Sequence, residues 1–170
     1  MSQPKSSKNV PAKNKSGVFR VKTDTVWGWG AWLRDAPGIR ELMERKSRGL
    51  EDKKVFALVL GWQDLTSGRY VVLDDFAREL VEKYREAPLT LVLPKSAEFR
   101  HWYYDNFPEI GVRLPSTENL RAMAAKGPFL LTSANARGGE PEPIAGPPTT
   151  VARVAAGRVE ILRQGEIELK

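Results

Sequence analysis

The chain contains no cysteine, and this absence excludes disulfide bonds and thiolate zinc sites. Its only histidine is His101, so a metal site built from several histidines and a conventional Ser-His-Asp triad are not expected. No apolar run approaches the length that crosses a bilayer, and the N-terminus has no apolar signal core. We therefore expect a protein of a reducing compartment, the cytoplasm, that does not contact membranes.

Positive charge is concentrated at the start of the 170 residues. The formal net charge is +6, and four lysines at positions 5, 8, 13 and 15, with no acidic residue among them, supply +4 of it. This segment lacks apolar periodicity, which predicts a basic disordered tail over residues 1–17. The tail is either a solvated leader or a non-specific contact for nucleic acid. Residues 18–170 are predicted to form one domain with its own core.

Apolar runs alternate with amphipathic segments, a pattern typical of an α/β domain. Strands are expected at residues 18–21, 55–60, 89–93, 111–115, 129–131 and 159–163. Helices are expected after three capping residues, Asp35, Asp74 and Ser116. Residues 61–73 show no clear pattern, and residues 95–109 contain an aromatic cluster that either packs internally or offers an RNA-stacking surface. There is no P-loop and no GxGxxG motif, so a bound nucleotide must be held by other means.

Small polar side chains follow two of the predicted strands. Thr23, Asp24 and Thr25 come directly after the first strand, and Ser133 and Asn135 come directly after the fifth. In open α/β sheets ligands bind at such strand ends. The alternative is that these short side chains only form turns.

Two further groups of side chains lie close to these polar ends in the sequence, and each has two interpretations. Trp27, Trp29 and Trp32 are expected either to wall a ligand pocket or to pack in the core. Lys46 and Arg48 stand at the end of the first predicted helix, where they either complement the helix dipole or clamp an anion.

Seven short motifs occur in order along residues 18–167. They are KTDTVWG at 22–28, KSR at 46–48, APLTLVLP at 87–94, GVRLP at 111–115, TSANARGGEP at 132–141, PTTV at 148–151 and ILRQGEI at 161–167. Together they resemble the motifs of the YrdC-like family of L-threonylcarbamoyladenylate synthases. The resemblance implies a single domain in which a twisted mixed sheet, flanked by helices, surrounds a concave, positively charged cavity. Only residues 142–147 bridge the fifth and sixth motifs, so the chain resembles a compact variant of the family.

The resemblance also implies a reaction. The family's synthases are nucleotidyltransferases that join L-threonine, bicarbonate and ATP into threonylcarbamoyl-AMP and release pyrophosphate. The product serves the threonylcarbamoyladenosine modification of tRNA, which other proteins complete. For this chain the implied partners are therefore the three substrates, Mg²⁺ bound with ATP, the tRNA threonylcarbamoyl-transfer proteins, and RNA itself.

Residue roles follow from the matched motifs. The resemblance places five residues at ATP and bicarbonate, and these are Lys46, Arg48, Ser133, Asn135 and Arg163. It makes Lys46 and Arg48 the catalytic cations. It places Thr23, Arg113 and Thr149 at L-threonine, with Arg113 pairing the carboxylate. Fixed cations suit this chemistry, because every substrate carries negative charge and more charge develops during adenylation.

Two other functions stay open at the level of sequence. One is a non-catalytic RNA- or nucleotide-binding relative that uses the same basic cavity together with the lysine-rich tail. The other is a related carbamoyl-transfer enzyme that makes a carbamoyl adenylate for a different acceptor. The intact set of matched polar residues favours the synthase over both.

Overall fold

The computed structural model describes residues 17–46, 56–134 and 148–170. Eight strands lie within these ranges: β1 Phe19–Lys22, β2 Trp27–Trp32, β3 Ala57–Val59, β4 Leu89–Pro94, β5 Glu109–Arg113, β6 Phe129–Ser133, β7 Thr150–Ala155 and β8 Arg158–Arg163. Four helices lie within them as well: α1 Ala36–Arg45, α2 Trp62–Thr66, α3 Asp75–Lys83 and α4 Glu118–Ala124. None of these helices is long and apolar enough to cross a membrane. The predicted tail falls outside the described residues, except for Gly17.

All eight strands belong to one sheet with the order β1-β2-β6-β3-β5-β4-β7-β8. The pairs β3–β5 and β4–β7 are parallel, and the remaining neighbours are antiparallel. Strands twist relative to their neighbours, so a sheet of this width curves. The predicted fold class, an α/β domain with a mixed sheet flanked by helices, is confirmed.

The first and second predicted helices begin where their capping residues indicate. The Asp35 carboxylate accepts a hydrogen bond of 3.1 Å from the Gly38 N–H, and Pro37 stands in the first turn of α1. The Asp74 carboxylate accepts a bond of 2.8 Å from Ala77 at the start of α3. Such caps satisfy N–H groups that have no partner inside the helix.

The third predicted cap is wrong by one residue. Thr117, not Ser116, caps α4, and its hydroxyl accepts a 3.1 Å bond from the Leu120 N–H. The Ser116 hydroxyl instead donates to Asp24, on the loop between β1 and β2. Two adjacent hydroxyl residues can both cap a helix, and the sequence alone does not tell which of them has a tertiary partner.

The alternation of side chains along β4 shows which side of the sheet holds the core. Leu89, Leu91 and Leu93 are fully buried in one cluster with Leu80 and Val81 of α3. The side chains between them point to the opposite side, because successive residues of a strand face opposite ways. One side of the sheet therefore carries the main core. On the opposite side, Leu120 and Ala124 of α4 pack in a second cluster with residues of β3 and β6, and the rest of that side is open to a site.

Two strands and one short helix were not predicted. The sequence WGWGAW of β2 suggested a glycine-rich turn, and the actual strand pairs through all its residues with β1 and β6. Strand β7 directly follows a proline-rich stretch that obscured it. Helix α2, of five residues, lies in the part without a clear pattern.

The aromatic segment at 95–109 packs internally. Tyr104 is fully buried, and its hydroxyl donates a 2.8 Å hydrogen bond to the Phe56 carbonyl. Tyr103 is also buried, and its ring stacks on Phe56. Burial raises the pKa of the Tyr104 hydroxyl well above its ordinary value. Because the rings of Tyr103 and Tyr104 are buried, neither offers a free face for a stacked base.

Candidate functional site

The open side of the sheet forms the floor of a cavity of about 770 Å³. This volume lies in the range of sites that hold small molecules and cofactors. Its polar lining residues are Thr23, Thr25, Thr90, Arg113, Thr132, Ser133, Thr149, Glu109, Arg153 and Arg163. Its apolar lining includes Val92, Phe107, Val151, Leu131 and Leu162. The cavity thus combines fixed charge, several hydroxyl groups and apolar surface.

The strand register places two arginines at the ends of one row across this floor. Arg113 of β5 pairs with Thr90 of β4, Thr90 with Val151 of β7, and Val151 with Arg163 of β8. Since neighbouring strands lie about 4.8 Å apart, the backbones at the two ends are about 14 Å apart. The cavity therefore has an arginine at each of two ends, about 14 Å apart along the row.

Arg113 is almost entirely buried and is held by three partners behind the cavity wall. Its NH1 donates to the Leu114 carbonyl at 2.8 Å and to the Ser116 hydroxyl at 3.0 Å. Its NH2 forms a short ion pair with one carboxylate oxygen of Asp24. The other Asp24 oxygen accepts a 2.6 Å bond from Ser116. Burial lowers the pKa of Arg113, and the Asp24 charge opposes that change.

The three residues that follow β1 form a turn around the hydroxyl of Thr23. That hydroxyl donates to the Val26 carbonyl at 2.5 Å. It accepts from the N–H groups of Thr25 at 3.1 Å and Val26 at 3.2 Å. The turn interpretation of this stretch is therefore correct. Thr23 also lines the cavity, and its predicted contact with L-threonine stays a prediction. To make this contact, the Thr23 hydroxyl would have to give up its bond to the Val26 carbonyl.

Arg163 forms the other end of the row and lies against Thr149. Its Nε and NH2 donate to the Thr149 carbonyl at 3.1 and 2.8 Å, and NH2 also reaches the Thr149 hydroxyl at 3.0 Å. The Thr149 hydroxyl lies 3.3 Å from that of Thr90. Within the described ranges no carboxylate pairs with Arg163. Its partial burial lowers the pKa of the guanidinium.

Lys46 reaches the end of β6 from the end of α1. Its Nζ donates to the Ser133 carbonyl at 3.1 Å and lies 3.4 Å from the Ser133 hydroxyl. Lys46 follows directly after α1, where a cation is favoured by the helix dipole, and its side chain is buried with only 3% exposed. The position of Lys46 after α1 agrees with the dipole interpretation, and its role as an anion clamp stays a prediction.

The structure brings six of the eight predicted site residues together around or beside the cavity. Thr23, Arg113, Ser133, Thr149 and Arg163 line it, and Lys46 contacts Ser133. Arg48 and Asn135 lie outside the described residues, so their predicted roles stay predictions. The pocket-wall interpretation of the three tryptophans is wrong, because none of Trp27, Trp29 and Trp32 lines the cavity. Trp29 and Trp32 pack against the cores. Arg20 lies over the ring of Trp27, and Arg45 lies over the ring of Trp29.

The sequence identified Asp24 only as a polar strand-end residue and Ser116 only as a helix cap, and Thr90 was not singled out. Asp24 and Ser116 hold Arg113, and Thr90 stands between the two cationic ends. Each belongs to a matched motif or directly follows one, which was the available signal. At another part of the wall, Arg153 is bound by Glu109 at 2.8 Å and by Glu160 at 2.9 Å. Nothing in the sequence pattern joined these three residues, because they come from β5, β7 and β8.

No cluster of three or more potential metal ligands of the His, Cys, Asp and Glu types occurs in the described parts of the chain. A Mg²⁺ ion that arrives with a triphosphate fits this arrangement, because phosphate oxygens and water supply most of its ligands.

The fold is an α/β domain with a cavity on one side of its sheet, and arginine side chains contribute to the cavity lining. The family model for Sua5, YciO and YrdC proteins, described as telomere recombination, matches residues 12–145. The chain belongs to this YrdC-like family.

Two similar proteins illustrate the relationship at the level of sequence. A Mycobacterium tuberculosis protein named "Putative threonylcarbamoyl-AMP synthase" is 32% identical over 132 residues, which are 75% of this chain and 58% of that protein. A Mycobacterium leprae protein of the same name is 30% identical over 130 residues, 76% of this chain and 58% of that protein. The chain therefore matches just under three fifths of the length of these relatives.

Solved structures share the fold. Escherichia coli YciO superposes with a TM-score of 0.70 at 21% identity, covering 93% of this chain and 87% of that one. P. abyssi Sua5 in complex with L-threonine superposes with a TM-score of 0.71 at 20% identity, covering 89% of this chain and 51% of that one. At such identities the similarity shows the fold alone.

Proposed function

We propose that the protein is an L-threonylcarbamoyladenylate synthase, which forms threonylcarbamoyl-AMP and pyrophosphate from L-threonine, bicarbonate and ATP. The observation that supports this most is the row across the cavity floor, with Arg113 and Arg163 at its ends and Thr90 between them. A two-ended cationic site suits a reaction that must hold an amino-acid carboxylate and a triphosphate at once. The family and the names of its relatives agree with this reaction.

The proposed arrangement assigns the amino acid to the Arg113 end. The nucleotide phosphates are assigned to Arg163, Lys46 and Ser133, and the predicted partners Arg48 and Asn135 would join them. Mg²⁺ would enter as MgATP. These cations would offset the charge of the phosphates, which is the principal role of a protein in phosphoryl and nucleotidyl transfer.

The chemistry has two steps, and both build negative charge. The threonine ammonium first gives a proton to solvent. The neutral amine then attacks bicarbonate, water leaves, and a carbamate anion forms. A carbamate oxygen then attacks the α-phosphorus, and pyrophosphate leaves with the electrons of the broken P–O bond. Neither step requires a strong base from the protein, so fixed cations and hydrogen-bond donors suffice. The lack of a conventional triad is consistent with this mechanism.

The test replaces one cation at a time and measures pyrophosphate release. Lys46→Met and Arg163→Met should each lower the turnover rate by roughly 100-fold, the usual effect of removing one donor from a site of charge development. Arg158→Met, at the exposed first residue of β8, is the matched control and should leave the rate unchanged. Full activity in Lys46→Met would remove this lysine from the proposed machinery.

We further propose that the protein acts in the cytoplasm and passes its product to the tRNA threonylcarbamoyl-transfer proteins. Contact with RNA would be made by the basic tail. Deleting residues 1–16 should then weaken RNA binding and reduce its dependence on salt, because fewer counterions are released. Unchanged RNA binding after the deletion would exclude the tail from this role.

A further inference from the structure

The two cationic ends of the cavity differ in how their charge is compensated. Arg113 is paired with Asp24, and Ser116 binds both of these side chains, so that the three form a closed polar group. Arg163 lies against hydroxyl and carbonyl oxygens of Thr149, and no carboxylate of the described residues pairs with it. Counting the described residues alone, the Arg113 end carries nearly zero net charge and the Arg163 end carries a positive charge.

The Arg113 end is nevertheless able to bind a ligand. Arg113 lines the cavity, whereas Asp24 and Ser116 hold it from behind and do not line the cavity. Its bonds to Leu114, Ser116 and Asp24 involve NH1 and one hydrogen of NH2. No acceptor among the described residues binds Nε or the second NH2 hydrogen. A carboxylate can therefore be oriented here by hydrogen bonds, although the net electrostatic attraction is weak.

Resting on the proposed function, we propose that Asp24 is a specificity-determining residue that sorts the anionic ligands between the two ends of the cavity. By cancelling the charge of Arg113, it keeps phosphate groups from this end and leaves it to a ligand with no net charge, a zwitterionic amino acid. Phosphate groups are then directed to the Arg163 end. The physical basis is the cost of desolvation. A polyanion loses more hydration free energy on leaving water than a zwitterion does, and only an uncompensated cation offsets that cost.

The direct test counts pyrophosphate binding sites by titration calorimetry, with pyrophosphate alone as the probe. Asp24→Asn retains one oxygen that can accept from Arg113, and it removes the charge together with the oxygen that accepts from Ser116. We expect this variant to bind one more pyrophosphate per chain than the wild type. The double variant Asp24→Asn/Arg113→Gln should lose that additional site. Glu82→Gln, an exposed acid-to-amide change in the surface pair with Arg85, should leave the number of sites unchanged.

Two results would overturn the proposal. One is an equal number of pyrophosphate sites in Asp24→Asn and in the wild type, with the variant shown to be folded by circular dichroism. The other is an additional site that persists in the double variant, because it would not involve Arg113. Neither result depends on turnover, so the count is informative even if the protein forms no threonylcarbamoyl-AMP.

A second measurement needs no variant and remains decisive if Asp24→Asn does not fold. The wild type is titrated with L-threonine and with 3-hydroxybutyrate, which lacks the ammonium group and therefore carries a net negative charge. We expect L-threonine to bind at least tenfold more tightly. Equal or tighter binding of 3-hydroxybutyrate would contradict charge sorting. If neither ligand binds, the proposed function is contradicted, and the Arg113 end is not an amino-acid site. The number of pyrophosphate sites would then decide the role of Asp24.

Discussion

Replacing Gly165 by alanine is expected to disturb both the edge of the sheet and the nucleotide end of the cavity. A Cβ at this position would fall against the Pro148 carbonyl oxygen and the Thr149 carbonyl carbon, and it would lie 2.5 Å from the Thr150 nitrogen. All three are backbone atoms, which cannot rotate away as a side chain can. The Gly165 N–H also donates a 3.0 Å bond to the Thr150 hydroxyl, which ties the segment after β8 to the start of β7.

The magnitude follows from the usual effect of overpacking. Forcing an additional carbon into a closely packed site costs about 1–3 kcal/mol. For a chain of this length, each kcal/mol lowers the melting temperature by about 2–4 °C, so a decrease of roughly 2–12 °C is expected. The strained backbone includes Thr149, against which Arg163 is held. We therefore expect ATP to bind about tenfold more weakly, which corresponds to about 1.4 kcal/mol.

Gly157→Ala provides the matched control. Gly157 has φ of 72°, and a Cβ there would meet no atom within 4 Å. Its replacement should cost about 1–2 kcal/mol through backbone strain alone and should leave ATP binding unchanged. Thermal unfolding and ATP titration of both variants separate the two effects. An unchanged melting temperature and unchanged ATP affinity in Gly165→Ala would refute the close-approach argument.

Three further variants test other parts of the structure. Ala156 has φ of 52° in the turn between β7 and β8, a conformation that asparagine tolerates better than alanine. Ala156→Asn should therefore raise the free energy of unfolding, measured by urea denaturation, by about 0.5–1 kcal/mol. A loss of stability would contradict this. Asp74→Ala should lower it by about 1 kcal/mol because Ala77 loses its capping acceptor, and no change would mean that the cap contributes nothing. A hydrogen bond from the His101 N–H and the charge of Arg100 lower the pKa of Asp105 below its ordinary value of 3.8. The ionised carboxylate therefore stabilises the fold above about pH 4, and this contribution is lost as the pH falls through the depressed pKa. Asp105→Asn should therefore lose less stability than the wild type between pH 4 and pH 2, and parallel acid transitions would disprove that contribution.

Periodicity and capping chemistry sufficed to predict the part of the fold that forms the core. Strand β4 is an example, because a short apolar run between turn residues predicts a buried strand. Helices α1 and α3 are others, because an amphipathic segment after an Asp cap predicts a helix. Strand β2 escaped prediction because its alternating Trp and Gly residues resemble a turn, and only pairing on both sides makes it a strand. That pairing is a tertiary property.

The candidate site was likewise predicted only in part from the sequence. Thr149 and Arg163 were predicted near ligand from their motifs, and the structure places them in contact with each other at the cavity. The pairing of Arg113 with Asp24 was not foreseen, because it joins residues 89 positions apart. Motifs indicate which side chains approach a site. They do not show which of those charges the fold has already compensated.

The central claim is that the cationic cavity catalyses adenylation of a threonine carbamate. It is tested most directly by incubating the purified protein with ATP, Mg²⁺ and bicarbonate and measuring pyrophosphate release with and without L-threonine. We predict release that requires L-threonine, does not occur with L-alanine, and is accompanied by threonylcarbamoyl-AMP detected by mass spectrometry. A folded protein that binds ATP and releases no pyrophosphate with L-threonine would contradict the claim and would identify a nucleotide-binding relative without this activity.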